Sequence, residues 1–232
     1  MRKPPDIPRV ELLTFVKNIL FIADKEYPDI EIIEQADSKG LDKNPRIVAL
    51  LRMINNSYHL WTNNPSLQSV NQSKLVSAYS PVVHGWRVQS YDAYQNVVKT
   101  PAPLRTAQDI TPAGCLQSSS KIQEFLQSWF SKLHQLESIG SPEEKAAFAW
   151  LTPYRWTFAA PWAHANFVAG LGIFFYLRVH WNMSFFSYPL TRAEVAETQL
   201  KYSIYWVQNG LWSEPPFPPV YTEKKEKLIG TE

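Results

Sequence analysis

The sequence predicts an all-α fold, and three observations carry that expectation. Helix start and stop signals recur along the chain, apolar residues repeat at three- and four-residue spacing, and no Asn-Gly or Asp-Gly hairpin turn lies between alternating runs. The elements follow in order. From Pro8 to Tyr27, Leu12, Leu13, Val16, Ile19, Leu20 and Ala23 fall on one helical stripe. Asn44 as N-cap and Pro45 as first helical residue announce a second helix, with Ile47, Val48, Leu51, Ile54 and Tyr58 on its buried face. The stretch Gly85 to Val98 reads as strand or helix; Val88, Tyr91, Tyr94 and Val98 suit helical spacing slightly better.

The signals grow stronger further on. Ser119 or Ser120 caps a helix whose face is Ile122, Phe125, Leu126, Trp129, Phe130, Leu133 and Leu136, and Gly140 is placed to stop it. Ser141-Pro142-Glu143-Glu144 is a capping box with Pro at the first helical position. Thr191-Arg192-Ala193-Glu194 repeats the pattern and opens a run to Gly210, in which Val195, Leu200, Ile204 and Val207 interleave with Tyr202, Tyr205 and Trp206.

Composition and charge divide the chain into four parts. Residues 1–100 form an N-terminal helical part, charge-dense to residue 52 and then rich in Asn, Ser and Gln. Residues 101–118 read as a Pro-rich linker or loop, 119–212 as an aromatic-rich helical block, and 213–232 as an extended Pro-rich and charged tail. With 232 residues the chain is long enough for a substantial core, and its 45% hydrophobic content excludes a wholly disordered protein. The N-terminus has no signal-peptide core and is cytosolic in type.

Residues 156–177 carry no charge, which raises the question of a membrane span near 161–180. Pro161, His164 and Asn166 shorten the unbroken apolar part to 167–177. That length is the mark of a buried core helix, and the mean hydropathy of −0.27 agrees.

Several chemistries find no support. Cys115 is the single cysteine, so neither an intramolecular disulfide nor a cysteine-built zinc site is available. The histidines His59, His84, His134, His164 and His180 include no i,i+4 pair, so no metal and no cofactor is expected. There is no GxSxG, P-loop or GxGxxG motif, and no catalytic residue stands out. A net charge of +2 excludes a strongly basic nucleic-acid clamp.

What remains is a surplus of aromatic residues, 9 Trp among them, with arginines beside several of the rings. Arg87, Arg155, Arg178, Trp156 and Trp181 are the candidates for holding a single strand, cations on phosphates and rings under bases. The ordinary alternative is that Arg and Trp pack together at the rim of the core through cation–π contacts. In the tail, Pro218, Pro219 and Tyr221 complete a Pro-Pro-x-Tyr string of the kind that docks in polyproline geometry. The expected function is a non-enzymatic structural subunit that assembles with copies of itself or a larger protein complex. Its specific form would be a helical coat or nucleocapsid-type protein on single-stranded nucleic acid. The alternatives are an accessory subunit of a membrane complex and a helical enzyme with a site around His164, Arg155 and Tyr154.

Overall fold

A computed structural model of the chain describes residues 19, 44–109, 115, 117–183 and 192–216. Among the described residues there are helices and no strand, so the chain is all-α. The α-helices are α1 Pro45–Asn63, α2 Gln72–Arg87, α3 Tyr91–Val97, α4 Ile122–Ile139, α5 Pro142–Ala159, α6 Asn166–His180 and α7 Arg192–Asn209. Of the helix expected between Pro8 and Tyr27, Ile19 alone is described; it is helical and fully buried, and the rest lies outside the described residues.

Local chemistry accounts for most of the boundaries. The Asn44 side chain accepts from the Arg46 backbone N–H at 2.9 Å and Pro45 opens α1. At α5, Ser141 Oγ accepts from Glu144 N while Glu144 Oε2 accepts from Ser141 N, closing the capping box in both directions. Ser90 caps α3, which settles the ambiguous Gly85–Val98 stretch as the end of α2, a turn and a short helix. All seven residues expected on the inner face of α4 are buried.

Three details differ from expectation. The entry to α4 is a 3-10 turn at Ser119–Lys121 with Ser118 before it, so neither Ser119 nor Ser120 caps the helix. Gly140 ends α4 in an extended conformation, φ −72° and ψ 139°, where no left-handed turn is needed. In α1 the buried side includes Ala49, Leu50 and Met53, while Val48 and Leu51 are half-buried, because α1 packs on two neighbours at once. Residues 101–109, part of the expected linker or loop, contain no helix and form an anchored strap: Ala102 N donates to Ser80 Oγ and Arg105 N to Pro161 O, each at 2.8 Å.

α6 occupies the centre, between the α1–α2 pair on one side and α5 on the other. Every residue of it except Phe167 is buried, which is why its sequence is apolar all round. Fifteen residues reach about 22 Å at 1.5 Å each, short of a hydrocarbon core of about 30 Å. No helix among the described residues is long and apolar enough to cross a membrane.

Two glycines allow this central position. A Cβ on Gly170 would stand 2.6 Å from Pro153 Cα of α5, and one on Gly172 would stand 2.7 Å from Met53 Cγ and 2.8 Å from Tyr79 Cε1. Tyr79 then donates its hydroxyl to Gly172 O at 3.2 Å. The bend before α6 is held by Asn166, whose side chain accepts from Trp162 N and donates to Trp162 O. Ala160 and Ala165 bracket that bend at φ 44° and 56°, left-handed positions that cost a non-glycine residue about 1–2 kcal/mol each.

Gly170→Ala should lower stability by about 1–3 kcal/mol, the usual penalty for an added methylene in a packed interior. Urea unfolding measures it; an unchanged midpoint would mean that α5 and α6 are not in such close contact.

Candidate functional site

The structure distributes the predicted strand-binding residues through the interior. Trp156 is 0% exposed, with Trp162 at 5.2 Å and Trp129 and Phe125 each at 5.7 Å between ring centroids. No face of its ring is open to a base. Arg155 is buried beside it on α5, its guanidinium 5.2 Å from the Trp212 ring and 5.7 Å from that of Trp206. Its Nε donates to Leu211 O. Burial pushes the Arg155 guanidinium down to about 10, against the opposing pull of the Glu214 charge, so it stays charged at neutral pH.

Arg178 is also buried, 5.3 Å over the Phe174 ring. Trp181 is half-buried and donates its indole N–H to Glu137 Oε2 at 2.8 Å. Arg87, the last residue of α2, is exposed. The five side chains therefore do not converge on one groove. Arg155 and Arg178 make cation–π contacts inside the fold, with Trp206, Trp212 and Phe174 rather than with the tryptophans next to them in the sequence. Pro218, Pro219 and Tyr221 lie outside the described residues.

Arg105 was indistinguishable in sequence from other arginines, yet it secures the strap to the core. It is buried, and its guanidinium donates to Ala160 O at 2.9 Å, Gln117 O at 3.0 Å and Ala159 O at 3.4 Å. The Ala159 and Ala160 carbonyls end α5, where a cation meets the negative end of the helix dipole. Cys115 is buried in the same cluster, 3.4 Å from the guanidinium, and donates to Gln117 O.

A second buried connection centres on Glu137, near the end of α4. It accepts from Trp181 Nε1 and lies 3.2 Å from His180 Nε2, tying α4 to the end of α6. Burial alone would raise its carboxyl, but the hydrogen bonds from Trp181 and His180 and the His180 charge outweigh that and hold it below its ordinary value. No spacing rule links Glu137 to residues more than forty positions away, so this clamp had no signal in the sequence.

The residues of the enzyme alternative do not converge either. His164 is exposed, while Tyr154 is fully buried with its ring against Phe167 and Tyr202. His84 and His134 each face a backbone carbonyl, of Thr100 and Val70 respectively. No group of three or more His, Cys, Asp or Glu among the described residues could hold a metal ion. A shallow depression of about 390 Å³ on α4 is lined by Gln127, Ser128, Ser131, Lys132, Gln135 and Trp212.

The surface feature that stands out is on α7. Its inner face buries Val195, Gln199, Tyr202, Ser203 and Trp206 against α5. Leu200, Ile204 and Val207 point the other way and are 61%, 51% and 65% exposed. At 100° per residue the two sets lie roughly 120° apart, so α7 is apolar on two faces. The interleaving of aliphatic and aromatic residues was visible in the sequence; which set faced inward was not. No family model and no curated protein matches the chain.

Glu137→Gln should lower the thermal midpoint at pH 7 and flatten its fall in acid. The carboxyl is held low in the folded state, so the stability it contributes is complete above its ordinary 4.5 and is lost as pH falls through the lower folded value. Thermal melts from pH 7 down to pH 3 measure both effects; parallel curves for the two proteins would remove the clamp.

Proposed function

We propose that the chain is a non-enzymatic helical subunit that assembles with copies of itself through the outer face of α7. The exposed stripe Leu200, Ile204 and Val207 is the observation that carries this reading. Its four-then-three spacing is that of a coiled-coil seam. An antiparallel two-fold pair centred between Ile204 and its neighbour Ser203 would lay Leu200 of each copy over Val207 of the other. The charges at the edge of the stripe, Glu197 and Lys201, are already paired at 2.7 Å, so two copies meet without like-charge repulsion.

Size sets the strength. Three partly exposed aliphatic side chains present roughly 300 Å² of apolar surface, the lower end of the range for the largest patch on a typical monomer. Two such faces bury about 600 Å², below the roughly 1,200 Å² of stable pairs. The contact is then weak between two free copies and effective where many copies are held together.

Sedimentation velocity over a rising concentration series tests this. The wild-type chain should show reversible, concentration-dependent association, and Leu200→Glu with Ile204→Glu should remain monomeric with an unchanged circular dichroism spectrum. A wild-type protein that stays monomeric throughout would overturn self-assembly through α7.

A further inference from the structure

Charge in the first described half of the chain is one-sided. Between residues 44 and 104 stand Arg46, Arg52, Lys74, Arg87 and Lys99, with Asp92 as the only carboxylate. Lys74 is committed to the loop after α1, where Nζ donates to Asn64 Oδ1 and Ser69 O, each at 2.8 Å. The other four belong to the opposite end of the α1–α2–α3 layer. Arg46 is in the first turn of α1 with its guanidinium 5.7 Å from the Trp86 ring, and Arg87 follows Trp86 at the end of α2. Arg52 lies 5.3 Å over Tyr94 of α3 and 3.5 Å from Gln95 Oε1, and Lys99 comes just after α3. Gly85 makes this convergence possible, because a Cβ there would stand 2.9 Å from Pro45 O of α1.

Accessibility separates this end from the Arg–Trp pairs of α5 and α6. Arg87 and Lys99 are exposed, and Arg52, Trp86, Tyr91 and Gln95 are half-buried. We propose that this end of the α1–α2–α3 layer binds single-stranded nucleic acid. Arg52, Arg87 and Lys99 meet successive phosphates, and Tyr91 offers ring surface to an unstacked base, while the Trp86 ring is covered by Arg46 and the core. A single strand fits better than a duplex because α3 has only seven residues, too short to serve as a recognition helix in a groove. An acidic peptide would use the cations and leave the Tyr91 ring idle. The burial of Tyr94 assigns it a different role: its ring supports the Arg52 guanidinium from below.

The site is independent of α7, so the two readings fail separately. Fluorescence anisotropy with the full chain and a labelled twelve-nucleotide oligo-dT or oligo-U, short enough for one copy, is the direct test. Three phosphate contacts predict a slope of about −2 in log affinity against log salt. Arg52→Ala with Arg87→Ala should weaken binding at least ten-fold and bring the slope to about −0.7, the value for one remaining contact. Tyr91→Ala should weaken binding about ten-fold with the slope unchanged, as a lost stacking surface does. The Leu200→Glu, Ile204→Glu protein should bind the short strand as the wild type does. No binding at 50 mM salt, an unchanged slope in the double arginine variant of unaltered thermal midpoint, or equal competition by polyglutamate or by phosphatidylserine vesicles would each overturn the proposal.

Discussion

The close approach of α6 to both of its neighbours is the constraint on which the rest of this structure depends. Gly170 brings it onto Pro153 of α5, and Gly172, displaced on the helix by two residues, brings it onto Met53 and Tyr79 of α1 and α2. The two glycines face different partners because two residues turn a helix by about 200°. With α6 so enclosed, the helices before and after residue 101 share one hydrophobic core. The strap at 101–109 is then pinned by Arg105 to the end of α5 rather than left as a linker between two bodies.

An aromatic-rich core has its own difficulty, which is that indole nitrogens need acceptors. The indole N–H groups of Trp129, Trp156 and Trp162 are buried with no hydrogen-bond partner. Each costs about 1–3 kcal/mol. The same rings meet edge-on or stacked at 5.2–5.7 Å, and such pairs add about 0.5–1.5 kcal/mol each beyond their buried area. Trp181, which is half-buried, and Trp206, which is buried, do find acceptors in Glu137 and in Ser213 O. The arginines follow the same geography. Arg155 and Arg178 are held on ring faces within the interior, whereas Arg87 reaches solvent at the end of its helix.

The two surfaces left available differ in chemistry. One is a narrow aliphatic stripe on α7, facing away from the core. The other is a cluster of cations and half-buried rings where α1, α2 and α3 meet. If both proposals hold, a contact between copies and a hold on a strand would strengthen each other, since a strand raises the local concentration of its bound copies. Both surfaces lie on helices whose opposite sides are packed, so binding at either does not require the core to move.

The sequence by itself determined the helical class, the start of α1 at Asn44-Pro45, the capping box of α5, the whole inner face of α4 and the central burial of α6. These follow from interactions within a few residues or from a periodic pattern with one apolar stripe, and such patterns have one physical solution. The tertiary structure alone decided which of two apolar faces of α7 is covered: Tyr202 and Trp206 meet Tyr154 and Phe158 of α5, contacts across more than forty residues that no local pattern encodes. It also decided which arginines are structural. Trp86-Arg87 and Tyr154-Arg155-Trp156 look alike as strings, but the first sits at the solvent-facing end of α2 and the second faces the middle of the core. Glu137 meeting His180 and Trp181, and Arg105 meeting Ala159 and Ala160, are contacts across tens of residues, fixed by packing and therefore absent from any local pattern.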